Sequence, residues 1–100
     1  MEKSIRREAN VERSFCKRLR EAGCLVYKFV SPGNDGVPDR IVVTPGGRVI
    51  FVELKTERGK LEPIQKFQIG RLKEHEQDVR VLYGANEVDR FVVDVLEGGL

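Results

Sequence analysis

Gly36-Val37-Pro38-Asp39 is followed, fourteen residues beyond its aspartate, by Glu53-Leu54-Lys55, and the chain between them decides the fold. Two apolar runs, Ile41-Val42-Val43 and Val49-Ile50-Phe51-Val52, flank Thr44-Pro45-Gly46-Gly47-Arg48. A glycine-rich turn of that size between β-branched segments predicts a β-hairpin. With Pro45-Gly46-Gly47 as its loop, Thr44 pairs with Arg48, and counting back sets Asp39 directly opposite Glu53. Paired residues of an antiparallel ladder have Cβ atoms roughly 4.5–5.5 Å apart, so two carboxylates there repel unless something positive lies between them. A divalent cation meets that need.

Side-chain alternation extends the reading to the whole sheet. Asp39, Ile41 and Val43 share one face with Val49, Phe51, Glu53 and Lys55, while Val42, Ile50, Val52 and Leu54 take the other. Both faces are apolar over most of their length, which calls for helices on both sides. The charged residues gather at the open end of the hairpin, where the sheet meets solvent.

Upstream, Val11, Phe15, Leu19 and Ala22 recur at helical spacing, and Gly23 suits the residue just past a helix end, so a helix is expected from about Glu2 or Ser4 to Ala22. Glu12 flanks that stripe, either as an ordinary boundary residue or leaning towards a site at the sheet edge. Cys24 to Val30 reads as a strand, and Ser31-Pro32-Gly33-Asn34-Asp35-Gly36 as a loop. Downstream, Leu61 to His75 reads as a helix with Pro63 in its first turn, and Ile64, Phe67, Ile69 and Leu72 form an apolar face wider than one packing surface requires. His75 belongs to the surface. Val79 to Tyr83 is a strand reached through a helix, hence parallel to the one before it. Asn86 reads as the N-cap of a last helix, with Asp89 at N3 and Val88, Phe91, Val92, Val95 and Leu96 as its stripe. The order is α-β-β-β-α-β-α, an α/β fold with a mixed four-stranded sheet flanked by helices.

One hundred residues make a single domain over 1–100, with 40% hydrophobic and 34% charged residues, as in a globular protein. No apolar run reaches the roughly 18–20 residues needed to span a bilayer, and the N-terminus lacks the core of a signal peptide. A cytoplasmic location without membrane contact is expected. The net charge of +2 is modest, but Lys3, Arg6, Arg7, Arg13, Lys17, Arg18 and Arg20 crowd the first twenty residues. They form either the solvated face of the helix or a surface that follows a phosphate backbone. Cys16 and Cys24, with no CxxC spacing, read as reduced core thiols rather than zinc ligands.

Two carboxylates and a lysine on adjacent strands suffice for phosphodiester hydrolysis. Acceleration by enzymes of the slowest reactions reaches about 10¹⁷-fold or beyond, more than one side chain can supply. Carboxylate oxygens suit Mg²⁺ or Mn²⁺, and Lys55, on the face of Glu53, is placed to orient an attacking water or balance developing charge.

Asp39 preceded by proline, with Glu53-Leu54-Lys55 ending the next strand, resembles the PD-(D/E)xK nuclease superfamily and its restriction-endonuclease-like core. The larger pattern is similar to the VRR-NUC family: Glu12 in an early helix, Gly36-Val37-Pro38-Asp39, Val52-Glu53-Leu54-Lys55, and Gln65 shortly after a proline. The resemblance runs from about Glu8 to Tyr83. The VRR motif itself has only loose counterparts, in Val37-Pro38-Asp39-Arg40 and Arg6-Arg7. The resemblance implies that Asp39, Glu53 and the backbone carbonyl of Leu54 hold Mg²⁺ or Mn²⁺, and that Lys55 is the catalytic lysine. It further implies that Gln65 orients Lys55 or a water and that Glu12 is an outer-shell or second-metal carboxylate. Stand-alone members resemble Holliday-junction resolvases acting as homodimers on branched DNA; in this chain the wide apolar face of the helix from Ile64 to Leu72, or the helix from Phe91 to Leu96, is the expected interface. Alternatives are a restriction-like nuclease or exonuclease on the same fold, a non-catalytic DNA-binding module, and a surface salt-bridge cluster without catalysis.

Overall fold

In the computed structural model, which describes residues 2–99 and side chains from residue 9 onward, the elements follow the expected order. They are α1 (Glu2–Glu21), β1 (Leu25–Lys28), β2 (Arg40–Val43), β3 (Val49–Lys55), α2 (Pro63–Glu74), β4 (Asp78–Tyr83) and α3 (Gly84–Leu96). The side chains of Lys3, Arg6 and Arg7 lie outside the described residues. No described helix is long and apolar enough to cross a membrane.

The sheet order is β1-β2-β3-β4, antiparallel through β3 and parallel between β3 and β4. The hairpin register is the expected one. Thr44 N–H donates to the Arg48 carbonyl at 2.9 Å, and the ladder runs to Arg40 opposite Val52, so Asp39 falls opposite Glu53 one step beyond its end. β3 continues past the hairpin ladder to Lys55 because β4 pairs with it as far as Tyr83.

Helix α1 stops where Gly23, at φ +90°, turns the chain; Cys24 N–H then reaches back to the Leu19 carbonyl and Gly23 N–H to that of Arg20, the double bond of a Schellman end. Its apolar stripe, Phe15, Cys16 and Leu19, packs with Val88, Phe91, Val92 and Val95 of α3 over Val26, Val42, Ile50, Val52 and Leu82. Phe15 stacks on Phe91 with ring centroids 5.9 Å apart. Arg18 joins the two helices through a 2.6 Å bond to Asp89.

Two expectations change. The last helix begins at Gly84, not after Asn86: Gly84 adopts φ +79°, and Glu87 Oε1 accepts the Tyr83 N–H at 3.1 Å, so the chain passes from strand to helix with no intervening loop. The second sheet face is covered only in part. Helix α2 lies over β4, burying Ile69 and Val79, but Leu25 and Tyr27 on β1 stay more than half exposed.

Candidate active site

The open end of the hairpin is built by a proline. Hydrogen bonding between Thr44 and Arg48 fixes the even-numbered residues of β2 as those that face β3, so the continued register sets Pro38 opposite Leu54. Proline has no N–H to give the Leu54 carbonyl. The ladder ends at Arg40 and Val52, before that position, and the Leu54 N–H donates to Asp39 Oδ2 at 3.3 Å. On its other side Asp39 is pinned to β1, its carbonyl accepting the Phe29 N–H at 2.8 Å. Pro38 is fully buried and Asp39 exposed, which places the carboxylate at the rim of the sheet.

Glu53 is the opposite case. Only 3% exposed, it lies on β3, the strand between β2 and β4, and its Oε1 has no hydrogen-bond partner among the described residues. Burial, and next the neighbouring charge of Asp39, push its carboxyl up from 4.5 to about 7, with Lys55 pulling the other way. Lys55 Nζ stands 3.9 Å from Glu53 Oε2. The same oxygen accepts a bond of 3.2 Å from Gln65 Nε2, whose amide is held in turn by the Glu62 N–H, donating to Gln65 Oε1 at 2.8 Å. Glu62 is the N-cap of α2 and Pro63 opens its first turn, so Gln65 reaches the site as part of the helix start.

Asp39, Glu53, Lys55 and Gln65 are thus brought together, and Gln65 contacts Glu53 rather than Lys55. Glu12 is turned elsewhere: its Oε1 accepts from Arg40 Nη2 at 2.5 Å. Among the described residues no group of three or more His, Cys, Asp or Glu side chains is placed to hold one ion. Arg40 is the neighbour that sequence reading passed over. Alternation puts it with Val42 on an apolar face, and a charge there demands a counter-ion, which is the signal that could have led to Glu12.

The donor set suits a hard divalent cation. An exposed carboxylate, a buried one with an unpartnered oxygen and the main-chain carbonyl of Leu54, to which Pro38 has no N–H to give, are all oxygen ligands of the kind Mg²⁺ and Mn²⁺ take. An unbonded oxygen on a buried carboxylate is costly unless something positive meets it.

Residues 6–86 match the family described as the VRR-NUC domain. A curated phage protein, "Putative nuclease p44" of Acyrthosiphon pisum secondary endosymbiont phage 1, is 46% identical over 66 residues, 66% of this chain and 71% of the phage protein. A solved structure described as a VRR_NUC domain superposes with a TM-score of 0.79 at 31% identity, covering 86% of this chain and 94% of that one. A second, described as a VRR_NUC domain protein, has a TM-score of 0.69 at 16% identity and covers 90% and 88%, a likeness of fold.

Proposed function

The chain belongs to the VRR-NUC family of nucleases, and on that footing we propose that it is a Mg²⁺- or Mn²⁺-dependent DNA endonuclease selective for branched structures, acting as a homodimer in the manner of a Holliday-junction resolvase. The observation that carries the reading is the buried Glu53 carboxylate with its unpartnered oxygen beside the exposed carboxylate of Asp39.

In this reading Asp39, Glu53 and the Leu54 carbonyl hold the ion. When bound, it supplies a Lewis acid for the phosphate and lowers the pKa of a coordinated water. The protein's own groups do the rest. Lys55, four-fifths buried, holds a positive charge beside Glu53, where it orients the attacking water and offsets the negative charge that grows on the phosphate. Gln65 bonds Glu53 Oε2 and so keeps the carboxylate from rotating, which leaves Oε1 without a bond of its own. Asp39, fixed through its carbonyl and its carboxylate, sets the distance across the site.

Substrate charge is met on the side of α1. A concavity there is lined by Arg13, Lys17, Arg20 and Arg40, against which stand, among the described residues, Glu12 and Glu21. A phosphate backbone fits that balance, and binding through it weakens steeply with salt. Support for the dimer comes from apolar surface left outside the core: Ile64 and Phe67 on α2 are about half exposed, as is Tyr27 on the uncovered sheet face.

The test is cleavage of a four-way junction beside a linear duplex of the same sequence, with Mg²⁺, with Mn²⁺ and with chelator. Cutting of the junction with either ion and none in chelator is expected. Equal cutting of both substrates would remove the structural selectivity, and no cutting of either by folded protein would remove the activity.

A further inference from the structure

Gly36 has φ +87°, and a Cβ placed on it would come within 2.7 Å of the main-chain carbonyl carbon and oxygen of Ile64 and 3.0 Å of the Gln65 nitrogen. The loop before β2 therefore lies backbone to backbone against the first turn of α2. The atoms it meets are main chain and cannot swing aside. One residue further along that turn, the Gln65 amide is gripped at both ends, its oxygen by the Glu62 N–H and its nitrogen by Glu53 Oε2. An amide has one accepting end and one donating end, so the bond at Glu62 decides that the donor faces Glu53.

We propose that Gly36 is a positioning residue of the site: its close contact seats the first turn of α2 where the Gln65 amide, oriented by the Glu62 N–H, holds the Glu53 carboxylate. The inference rests on the reading of Glu53 as a metal ligand, and goes beyond it in assigning the alignment of that ligand to a loop glycine that meets the backbone of α2. The geometry also separates two reasons for a glycine. Gly33, in the same loop, has φ +81° but nothing within 4 Å of a Cβ. An alanine at Gly33 meets left-handed backbone strain alone, whereas an alanine at Gly36 meets that strain and the wall of α2.

The experiment compares Gly36→Ala with Gly33→Ala in the metal-free, ¹⁵N-labelled protein. One readout is the pair of side-chain amide resonances of Gln65, identified by their loss in Gln65→Leu; the other is a calorimetric titration with Mn²⁺ alone. Gly36→Ala is expected to move the Gln65 amide resonances and to weaken Mn²⁺ binding about 10-fold or more, the usual cost of losing a partner of a metal ligand. Gly33→Ala should do neither. Unchanged Gln65 resonances in folded Gly36→Ala, or equal effects of the two alanines, overturn the proposal. If Gly36→Ala does not fold, Glu62→Pro replaces it. Glu62 has φ −69° and ψ 153°, values proline adopts, so the substitution removes the N–H that orients Gln65, together with the Glu62 side chain that caps the Gln65 main-chain N–H. The same two readouts should shift, and the proposal falls if they stay put. A wild-type protein that takes up no Mn²⁺ would count against the nuclease reading, while the amide resonances still decide whether Gly36 seats Gln65.

Discussion

Replacing Glu53 with glutamine should make the metal-free protein more stable at pH 8, although it removes a residue assigned to the site. In the fold the carboxyl of Glu53 titrates at about 7, against 4.5 for an ordinary glutamate. The folded chain therefore keeps the proton over a range where the unfolded chain has shed it. Stability from this group is greatest below pH 4.5, falls as the pH rises through the window from 4.5 to about 7, and stays low above it. At 1.36 kcal/mol per unit the cost at pH 8 is about 3 kcal/mol, and the opposing pull of Lys55 is already contained in the position of the titration. Glutamine has no charge to desolvate, matches the shape and can still accept the bond from Gln65. For a domain of this size, about 3 kcal/mol corresponds to a rise in Tm on the order of 10 °C or more. Differential scanning calorimetry in chelator at pH 5, 6, 7 and 8 is the assay. Wild-type stability should fall across the series, Glu53→Gln should stay nearly level, and the two curves should separate most at pH 8. Added Mn²⁺ should raise the wild type and leave the variant where it was. A wild type equally stable at pH 5 and pH 8, or a variant no more stable than wild type at pH 8, would refute the claim that Glu53 is a buried carboxylate without sufficient compensation.

Lys55→Met removes the charge that opposes protonation of Glu53, so the Glu53 carboxyl should titrate above about 7 when followed by NMR, and DNA cleavage should be lost. Phe15→Ala empties a position that is 0% exposed and stacked on Phe91, and should cost about 3–5 kcal/mol in urea unfolding. Phe67→Glu charges the outward side of α2 without entering the core; light scattering should report a monomer while circular dichroism stays that of the wild type.

The hairpin and its register were legible because one short turn determines them. Once Pro45-Gly46-Gly47 forms the loop, every pairing back to Asp39 and Glu53 follows by counting, and alternation assigns each side chain to a face. The parallel strand β4 was legible from the helix that precedes it. The N-cap of α3 was not, since Asn86 carries a stronger local signal than Tyr83, and the side chain of Glu87 and the positive φ of Gly84 decided the matter. Coverage of the second sheet face was overstated for a related reason: an apolar face on α2 tells that the helix packs, but not how many strands it reaches.

Within the site, Asp39, Glu53 and Lys55 could be read because strand parity places them on one face. The link between Gln65 and Glu53 was hidden, as was that between Arg40 and Glu12, because each joins segments whose approach is set by tertiary packing. The same holds for Gly36. Its glycine signalled a turn, and only the fold reveals that α2 stands against it. The unpartnered oxygen of Glu53 belongs to this class too, since burial of one carboxylate and exposure of its neighbour come from the position of the sheet end, not from residue type.

The most direct measurement is cleavage of a labelled four-way junction in Mn²⁺ by wild type and Asp39→Asn, with binding of the same DNA measured in chelator. Cutting by wild type, loss of cutting in Asp39→Asn, and unchanged binding for both are expected. An Asp39→Asn protein that cuts as fast as wild type would contradict the assignment of the hairpin end as the metal-dependent hydrolytic site.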